Sequence, residues 1–152
     1  GLYRRSLYTF WKRTAPPPFM LNFDSATRES CVVRESRTNT PLQALNLMND
    51  VTFVEAARKL GERVIHEAPP EQRLDLAFRL VLARLPRDFE RKKLSASLQF
   101  FKDHFASEPE AARKLLSQGD SASDPNIPAP ELAAWTAVAS LILNLDETVT
   151  KE

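Results

Sequence analysis

Glycine, cysteine and long apolar stretches are all scarce in this sequence of 152 residues. Three glycines leave few positions for the left-handed turns of tight β-hairpins, whereas eleven prolines suit helix starts and stiff links between helices. A single cysteine, Cys31, excludes an internal disulfide. No apolar run reaches the roughly 18 residues that a membrane-spanning helix needs. These shortages favour helices and exclude both an internal disulfide and an ordinary membrane-spanning helix.

Charge is nearly balanced, with 21 basic and 20 acidic side chains and a net charge of +1. The first 50 residues hold seven Lys/Arg and four Asp/Glu, and the other 102 hold 14 and 16. Nucleic-acid binding normally needs a strongly basic face, so no nucleic-acid partner is expected. With 43% hydrophobic and 27% charged residues, the composition is typical of a folded globular protein.

From Thr40 onward, apolar residues recur at helical spacing. Thr40 and Gln43 form a predicted capping box around Pro41, which opens a helix to about Asn49. Four more helices are predicted within 40–118: after Asp50 as far as Ala68, from Pro70 to Leu85 before Pro86, from the cap Asp88 past Phe105, and from about Pro109 to a stop at Gly119. A polar loop, punctuated by prolines, follows at 119–129. The last helix, 130–147, has an apolar middle that predicts burial on several sides, with Trp135 in the core.

The preceding segment, residues 1–39, is predicted to be an irregular arm. It carries many aromatic side chains around a proline run at 16–18 that we expect to be extended. Such a segment is too apolar for a free linker, so we expect it to lie across the helical body or across a neighbouring domain. Overall the sequence predicts one all-α domain over 1–152, an irregular bundle of about five to six helices with an extended, aromatic, Pro-rich N-terminal arm.

Several stretches form a recognisable set. The most specific is Arg37-Thr38-Asn39-Thr40-Pro41-Leu42-Gln43-Ala44-Leu45, since a capping box alone would not require all of it. Others are 3–14, the triple proline, Phe23-Asp24, 28–31, 49–58, 77–79 and 144–147. Together they resemble the domain of unknown function that ends large multi-domain planctomycete proteins with a cytochrome c-like module.

This resemblance implies that the chain is the C-terminal part of a larger, exported or periplasmic protein. The start Gly-Leu-Tyr-Arg-Arg, neither a Met nor a signal peptide, fits a cut through a longer polypeptide. Haem would belong to an upstream domain, because this chain has no Cys-x-x-Cys-His, and no cofactor is expected here. The resemblance supplies no catalytic residue, so catalysis by this fragment alone is not expected.

The densest polar cluster contains Arg28, Arg34 and Arg37 with Asp24, Glu29 and Glu35. In the commoner interpretation, paired charges pin the arm onto the first helix. In the other, Arg37 and the N–H groups at the start of that helix bind a carboxylate, sulfate or phosphate. The residues proposed for an anion site or a domain contact are Arg5, Trp11, Asp24, Arg28, Arg34, Arg37, Thr38, Asn39 and Thr40.

Other reactive side chains receive structural interpretations. Cys31 has no base beside it in the sequence and is predicted to be buried. His66 and His104 lack metal-ligand spacing and are predicted to be solvated. Glu108 and Glu110 suit a helix start, whereas Asp146 and Glu147, at a predicted helix end, have no explanation from the sequence.

Two functions therefore stand as hypotheses. The first is a non-catalytic helical module that packs against other domains of the same polypeptide. The alternative is an Arg-lined anion or carbohydrate site that completes an enzyme active site in the full-length protein.

Overall fold

The computed structural model describes residues 8–12, 14–25, 38 and 40–150. Their helices are α1 (Pro18–Asn22), α2 (Pro41–Asn49), α3 (Val51–Glu67), α4 (Arg73–Leu82), α5 (Asp88–Ser107), α6 (Pro109–Leu116), α7 (Ala129–Leu143) and α8 (Asp146–Val149). A 3₁₀ turn at Pro70–Gln72 precedes α4. Within these ranges there is no β-strand, and one isolated bridge joins Lys12 to Ala15. Six of the helices have eight or more residues, which confirms the predicted all-α fold.

The starts of α2 and α3 follow the predicted capping chemistry. The Gln43 N–H donates to Thr40 Oγ1 at 3.3 Å, and the Thr40 N–H donates to Gln43 Oε1 at 3.1 Å, which completes the capping box. Asp50 Oδ1 accepts the Thr52 N–H at 2.9 Å at the start of α3. The predicted bounds of these two helices are confirmed.

Three later bounds differ from the prediction. Helix α4 ends at Leu82, not Leu85, because Ala83 adopts a left-handed backbone with φ 57°. Asp88 does not cap α5 but is its first residue, and the Glu90 carboxylate accepts the N–H of the capping Arg87 at 2.7 Å. Helix α6 ends at Leu116, so that Gly119, with φ 92°, lies in the following loop.

The carboxyl-terminal part also divides differently from the prediction. Helix α7 ends at Leu143, and a separate short helix, α8, begins at Asp146. This second start accounts for Asp146 and Glu147, because acidic residues are favourable in the first turn of a helix.

Helix α7 lies at the centre of the packing. It contacts α3, α5 and α6 and has eight buried residues, as its apolar sequence predicts. Trp135, Val138 and Ile142 join one apolar cluster with α3 and α4, while Leu132, Ala133 and Ala134 join a second with α5 and α6. Gly61 allows the close approach of α3, since an added Cβ would lie 3.4 Å from Trp135 and Thr136 backbone atoms.

The described part of the arm is partly folded onto this body. Pro17 is extended, but Pro18 begins α1, so the arm contains a short helix where the sequence predicts none. Met20 is buried, and the ring of Phe19 lies 6.0 Å from that of Phe53 on α3. Tyr8 and Phe10 remain 70% and 83% exposed. The body therefore covers Met20 and one side of α1, and it leaves the rings of Tyr8 and Phe10 uncovered.

Candidate functional site

Only part of the predicted polar site lies within the described residues. Asp24, Thr38 and Thr40 are described, together with Trp11, which is half-buried. The remaining predicted residues, Arg5, Arg28, Arg34, Arg37 and Asn39, lie outside the described ranges, as does Cys31. The anion-binding hypothesis therefore stays a prediction for the arginines, and its helix-terminus component can be described.

Asp24 and Thr38 are joined across the intervening sequence. The Thr38 N–H donates to Asp24 Oδ2 at 2.6 Å, and the Thr38 hydroxyl lies 2.9 Å from both carboxylate oxygens. Asp24 adopts a left-handed backbone with φ 51°, which short polar side chains tolerate better than most residues. These contacts hold the residue that follows α1 closely, Asp24, against Thr38, which lies two residues before Thr40.

The start of α2 has few free donors for an anion. Pro41 has no N–H, the Gln43 N–H is bonded to Thr40 Oγ1, and the Ala44 N–H is bonded to the Thr40 carbonyl at 3.3 Å. Among the described residues, no partner is found for the Leu42 N–H of this first turn. An anion at this helix start would thus depend mainly on side-chain charges.

A buried polar stripe on α3 is the main feature that the sequence interpretation missed. Glu55, Arg58, Lys59, Glu62 and His66 recur at helical spacing on one side of the helix. Three of them, Glu55, Arg58 and Glu62, are buried, with Arg58 only 2% exposed. Their hydrogen-bond partners come from the end of α6 and from the loop at residues 117–128, which we call the α6–α7 loop.

The stripe holds this loop through its backbone. Glu55 accepts the N–H groups of Asp120 and Ser121 at 3.1 and 2.9 Å, and also the Ser121 hydroxyl. Arg58 donates to the carbonyl of Leu116 and, through Nη2, to the carbonyl of Ser121 at 2.6 Å. Because buried backbone groups need partners, charged residues on α3 can replace the hydrogen bonds that a loop without secondary structure lacks.

Farther along α3, the same stripe holds the second half of the loop. Glu62 accepts the Asp124 N–H at 3.2 Å, and Lys59 donates to the Ala122 carbonyl at 2.9 Å. His66 Nε2 lies 2.7 Å from Asp124 Oδ2. Hydrogen bonds from Asn126 and from His66 lower the pKa of Asp124 below its ordinary value. His66 is thus half-exposed, as predicted, but bonded to a carboxylate rather than to water alone.

A second polar cluster surrounds Arg84, between α4 and α5. The guanidinium binds Glu90 through two hydrogen bonds of 2.7 and 2.8 Å and Glu147 of α8 through two more of the same lengths. Its Cζ also lies 5.3 Å from the centre of the buried Phe78 ring. Glu147 therefore ties α8 to the α4–α5 connection, a role that its place in the sequence does not indicate.

This arrangement shifts the ionisation of all three groups. The hydrogen bonds to Arg84 lower the pKa of Glu90 to about 2 and lower the pKa of Glu147 below its ordinary value. The hydrogen bonds to Glu90 and Glu147 raise the pKa of Arg84 above its ordinary value. Each carboxylate accepts two hydrogen bonds from the one guanidinium, so the cluster resembles a structural tie more than a reactive site.

Other surface features carry little chemistry. Within the described ranges, no group of three His, Cys, Asp or Glu side chains is placed to hold a metal ion. An open cleft of about 340 Å³ beside the α3–α4 connection is lined by Glu67, Asp75 and Arg79 among others. Asp75 already lies 2.6 Å from Arg91 Nη1, so its charge is neutralised. None of the described helices combines the length and the apolar character needed to cross a membrane.

The fold and its polar clusters define a helical module in which the buried charged side chains of α3 and the Arg84 cluster hold the module's own loops and helices together. A family model described as "PSD1: Protein of unknown function (DUF1553)" matches residues 1–98. The chain therefore belongs to this family of unknown function. No curated protein and no solved structure matches the chain.

Proposed function

We propose that this chain is a non-catalytic helical module that packs against other domains of a larger, exported polypeptide. The observation that carries the proposal is the uneven burial of its aromatic arm. Met20 and the rings of Phe19 and Phe23 lie against the module, whereas Tyr8 and Phe10 are largely exposed. Exposed aromatic rings on an anchored segment are typical of a contact with another surface.

The sequence resemblance alone supplies the finer part of this proposal. The larger protein would belong to the planctomycete type with a cytochrome c-like module, with haem upstream of this chain. The described charges support a role without catalysis, since Arg58 and Arg84 are both bonded to carboxylates and backbone carbonyls within the module.

Limited proteolysis of the isolated chain and of the full-length protein tests the proposal. We expect rapid cleavage within residues 8–17 of the isolated chain and protection of the same segment in the full-length protein. The α6–α7 loop is the internal control, since α3 holds it in both and its cleavage should not change. An arm as resistant as the helices in the isolated chain would contradict the proposal.

The alternative function is an anion or carbohydrate site that completes an active site in the full-length protein. It is supported by the Asp24–Thr38 hydrogen bonds, which bring together the two ends of the segment that contains Arg28 and Arg34. Arg37→Ala in the full-length protein should weaken the binding of sulfated glycans and simple anions at least tenfold. Arg113→Ala, at an exposed ion pair on α6, is the matched control, and unchanged binding in Arg37→Ala with intact folding removes this alternative.

A further inference from the structure

An exposed apolar surface lies on α1, which is the helical part of the arm, on α2, and at the first residue of α3. Its six large side chains, which we call the α1–α2 face, keep between 38% and 57% of their surface exposed: Phe19, Leu21, Leu42, Leu45, Met48 and Val51. On α2 the exposed members recur every three residues and share one side of the helix, opposite the buried Gln43. The apolar stripe of α2 thus points away from the module's own core.

Contacts within the module hold the α1–α2 face in place. The capping box fixes the start of α2, and the Asp24–Thr38 contacts fix the segment before it. The rings of Phe19 and Phe23 lie 4.9 Å apart and both approach Phe53 of α3, at 6.0 and 6.5 Å. A surface that is held in place before binding loses less entropy when a partner docks.

Charge is almost absent from this region. Across the described residues 18–25 and 40–51, the charged side chains are Asp24 and Asp50, and α2 itself carries none. The described part of this region therefore has no basic side chain that would attract an anionic lipid surface or a nucleic acid. The chemistry fits an uncharged, apolar protein surface, and the flexible Met48 side chain suits such packing.

The size of the face favours a tethered partner. Six half-exposed side chains amount to roughly 300–600 Å², the range of the largest apolar patches on monomers, many of which are functional. A stable complex between separate chains buries about 800 Å² on each side. A smaller apolar contact suffices when the partner belongs to the same polypeptide, because the tether raises its effective concentration.

We propose that the α1–α2 face docks onto an uncharged apolar surface of another domain in the same polypeptide. This inference rests on the proposed function and assigns the docking to a surface separate from the exposed rings of the arm. A second copy of the chain, a lipid surface and residues 26–37 of the chain itself are the occupants that it excludes.

Site-specific photo-crosslinking in the full-length protein tests this assignment. Leu45→p-benzoylphenylalanine places the crosslinker on the α1–α2 face, and Phe10→p-benzoylphenylalanine places it on the arm. Phe89→p-benzoylphenylalanine is the control, because Phe89 is apolar, helical and 62% exposed but lies on α5. Mixing isotopically light and heavy protein separates links within one chain from links between copies.

Position 45 should link to a peptide outside residues 1–152 of the same chain, with at least a tenfold higher yield than position 89. The inference would be overturned if position 45 linked a light copy to a heavy copy, linked to residues 26–37 or to lipid, or formed no link at all. If position 45 fails while position 10 links to another domain, the α1–α2 assignment is wrong and the proposed function stands. If neither position links outside the chain, both are wrong.

Discussion

Gly119 is a single residue whose conformation the structure requires. It has φ 92°, which side chains rarely adopt, and an added Cβ would lie 2.9 Å from Glu55 Cβ and against the Glu55 carboxylate. Gly119→Ala should therefore lower the free energy of unfolding by about 1–3 kcal/mol. Urea denaturation of the two proteins measures the difference.

Gly61→Ala is the matched control for this substitution. Gly61 lies inside α3 with an ordinary helical backbone, and an added Cβ would meet its nearest neighbours at 3.4 Å. Alanine also favours a helix by about 1 kcal/mol over glycine, which offsets the tight contact. A loss at Gly61 as large as that at Gly119 would show that the backbone conformation is not the cause.

Arg58 is the second residue on which the α6–α7 loop depends. Its side chain is buried, lies 3.6 Å from Glu55 Oε1 and donates to two backbone carbonyls. Arg58→Met should lower the free energy of unfolding by about 3–5 kcal/mol, because it leaves Glu55 as a buried charge without its cation. Chemical denaturation measures the loss, and hydrogen exchange at residues 117–128 should accelerate.

Arg63→Met on the same helix provides the comparison. Arg63 pairs with Glu67 at 2.8 Å, but both side chains are about half-exposed, so this loss should be no more than about 1 kcal/mol. The double variant Glu55→Gln/Arg58→Met should cost less than the sum of its single variants, since the two side chains interact. Simple additivity would argue against a coupled pair.

At the scale of elements, Arg84 connects three helices. Its two carboxylate partners come from α5 and α8, and its guanidinium lies over Phe78 of α4. Helix α8 has no buried residue of its own, so its position depends on this tie and on local hydrogen bonds such as that from Thr148 Oγ1 to the Ile142 carbonyl. We therefore regard α8 as the least firmly packed of the described helices.

The lowered pKa of Glu90 predicts how the stability of the fold depends on pH. Its pKa is about 2 in the folded protein and 4.5 ordinarily, so the carboxylate stabilises the fold above pH 4.5. That contribution should be lost as the pH falls from about 4.5 to about 2. Glu90→Gln should be less stable than the unaltered chain at pH 7 and should show a shallower loss of stability between pH 5 and 2.

Denaturation at a series of pH values checks this expectation. Glu110→Gln is the control, because the Glu110 side chain is 83% exposed and its removal should change stability by less than about 0.5 kcal/mol at pH 7. An acid limb of equal slope with and without Glu90 would contradict the assigned role of Arg84.

At the scale of the molecule, α7 joins the two apolar clusters. The family match covers residues 1–98, yet α7 supplies buried residues to the packing of α3, α4, α5 and α6. A chain that ends at residue 98 should therefore lose cooperative unfolding and bind a hydrophobic dye. A chain that ends at Leu145, which removes only α8, should keep a cooperative transition in circular dichroism.

The sequence by itself determined the helices α2 to α7 and the caps that begin α2 and α3. The caps of α2 and α3 depend on contacts within three residues, made by Thr40, Pro41, Gln43 and Asp50. The apolar middle of α7 indicates that this helix is buried. Local spacing was therefore enough to predict both features. The ends of α4 and α6 were harder to predict. Proline and glycine end a helix where they occur, but a helix can also end several residues before it reaches them.

Only the tertiary structure decided what the charged residues contact. Glu55 and Asp120 are 65 residues apart, and Arg84 and Glu147 are 63 apart, so neither pairing leaves a periodic trace in the sequence. The sequence likewise predicted helix α2 without showing that its apolar side faces outward. Local spacing fixes which residues share a face, whereas long-range packing fixes what that face meets.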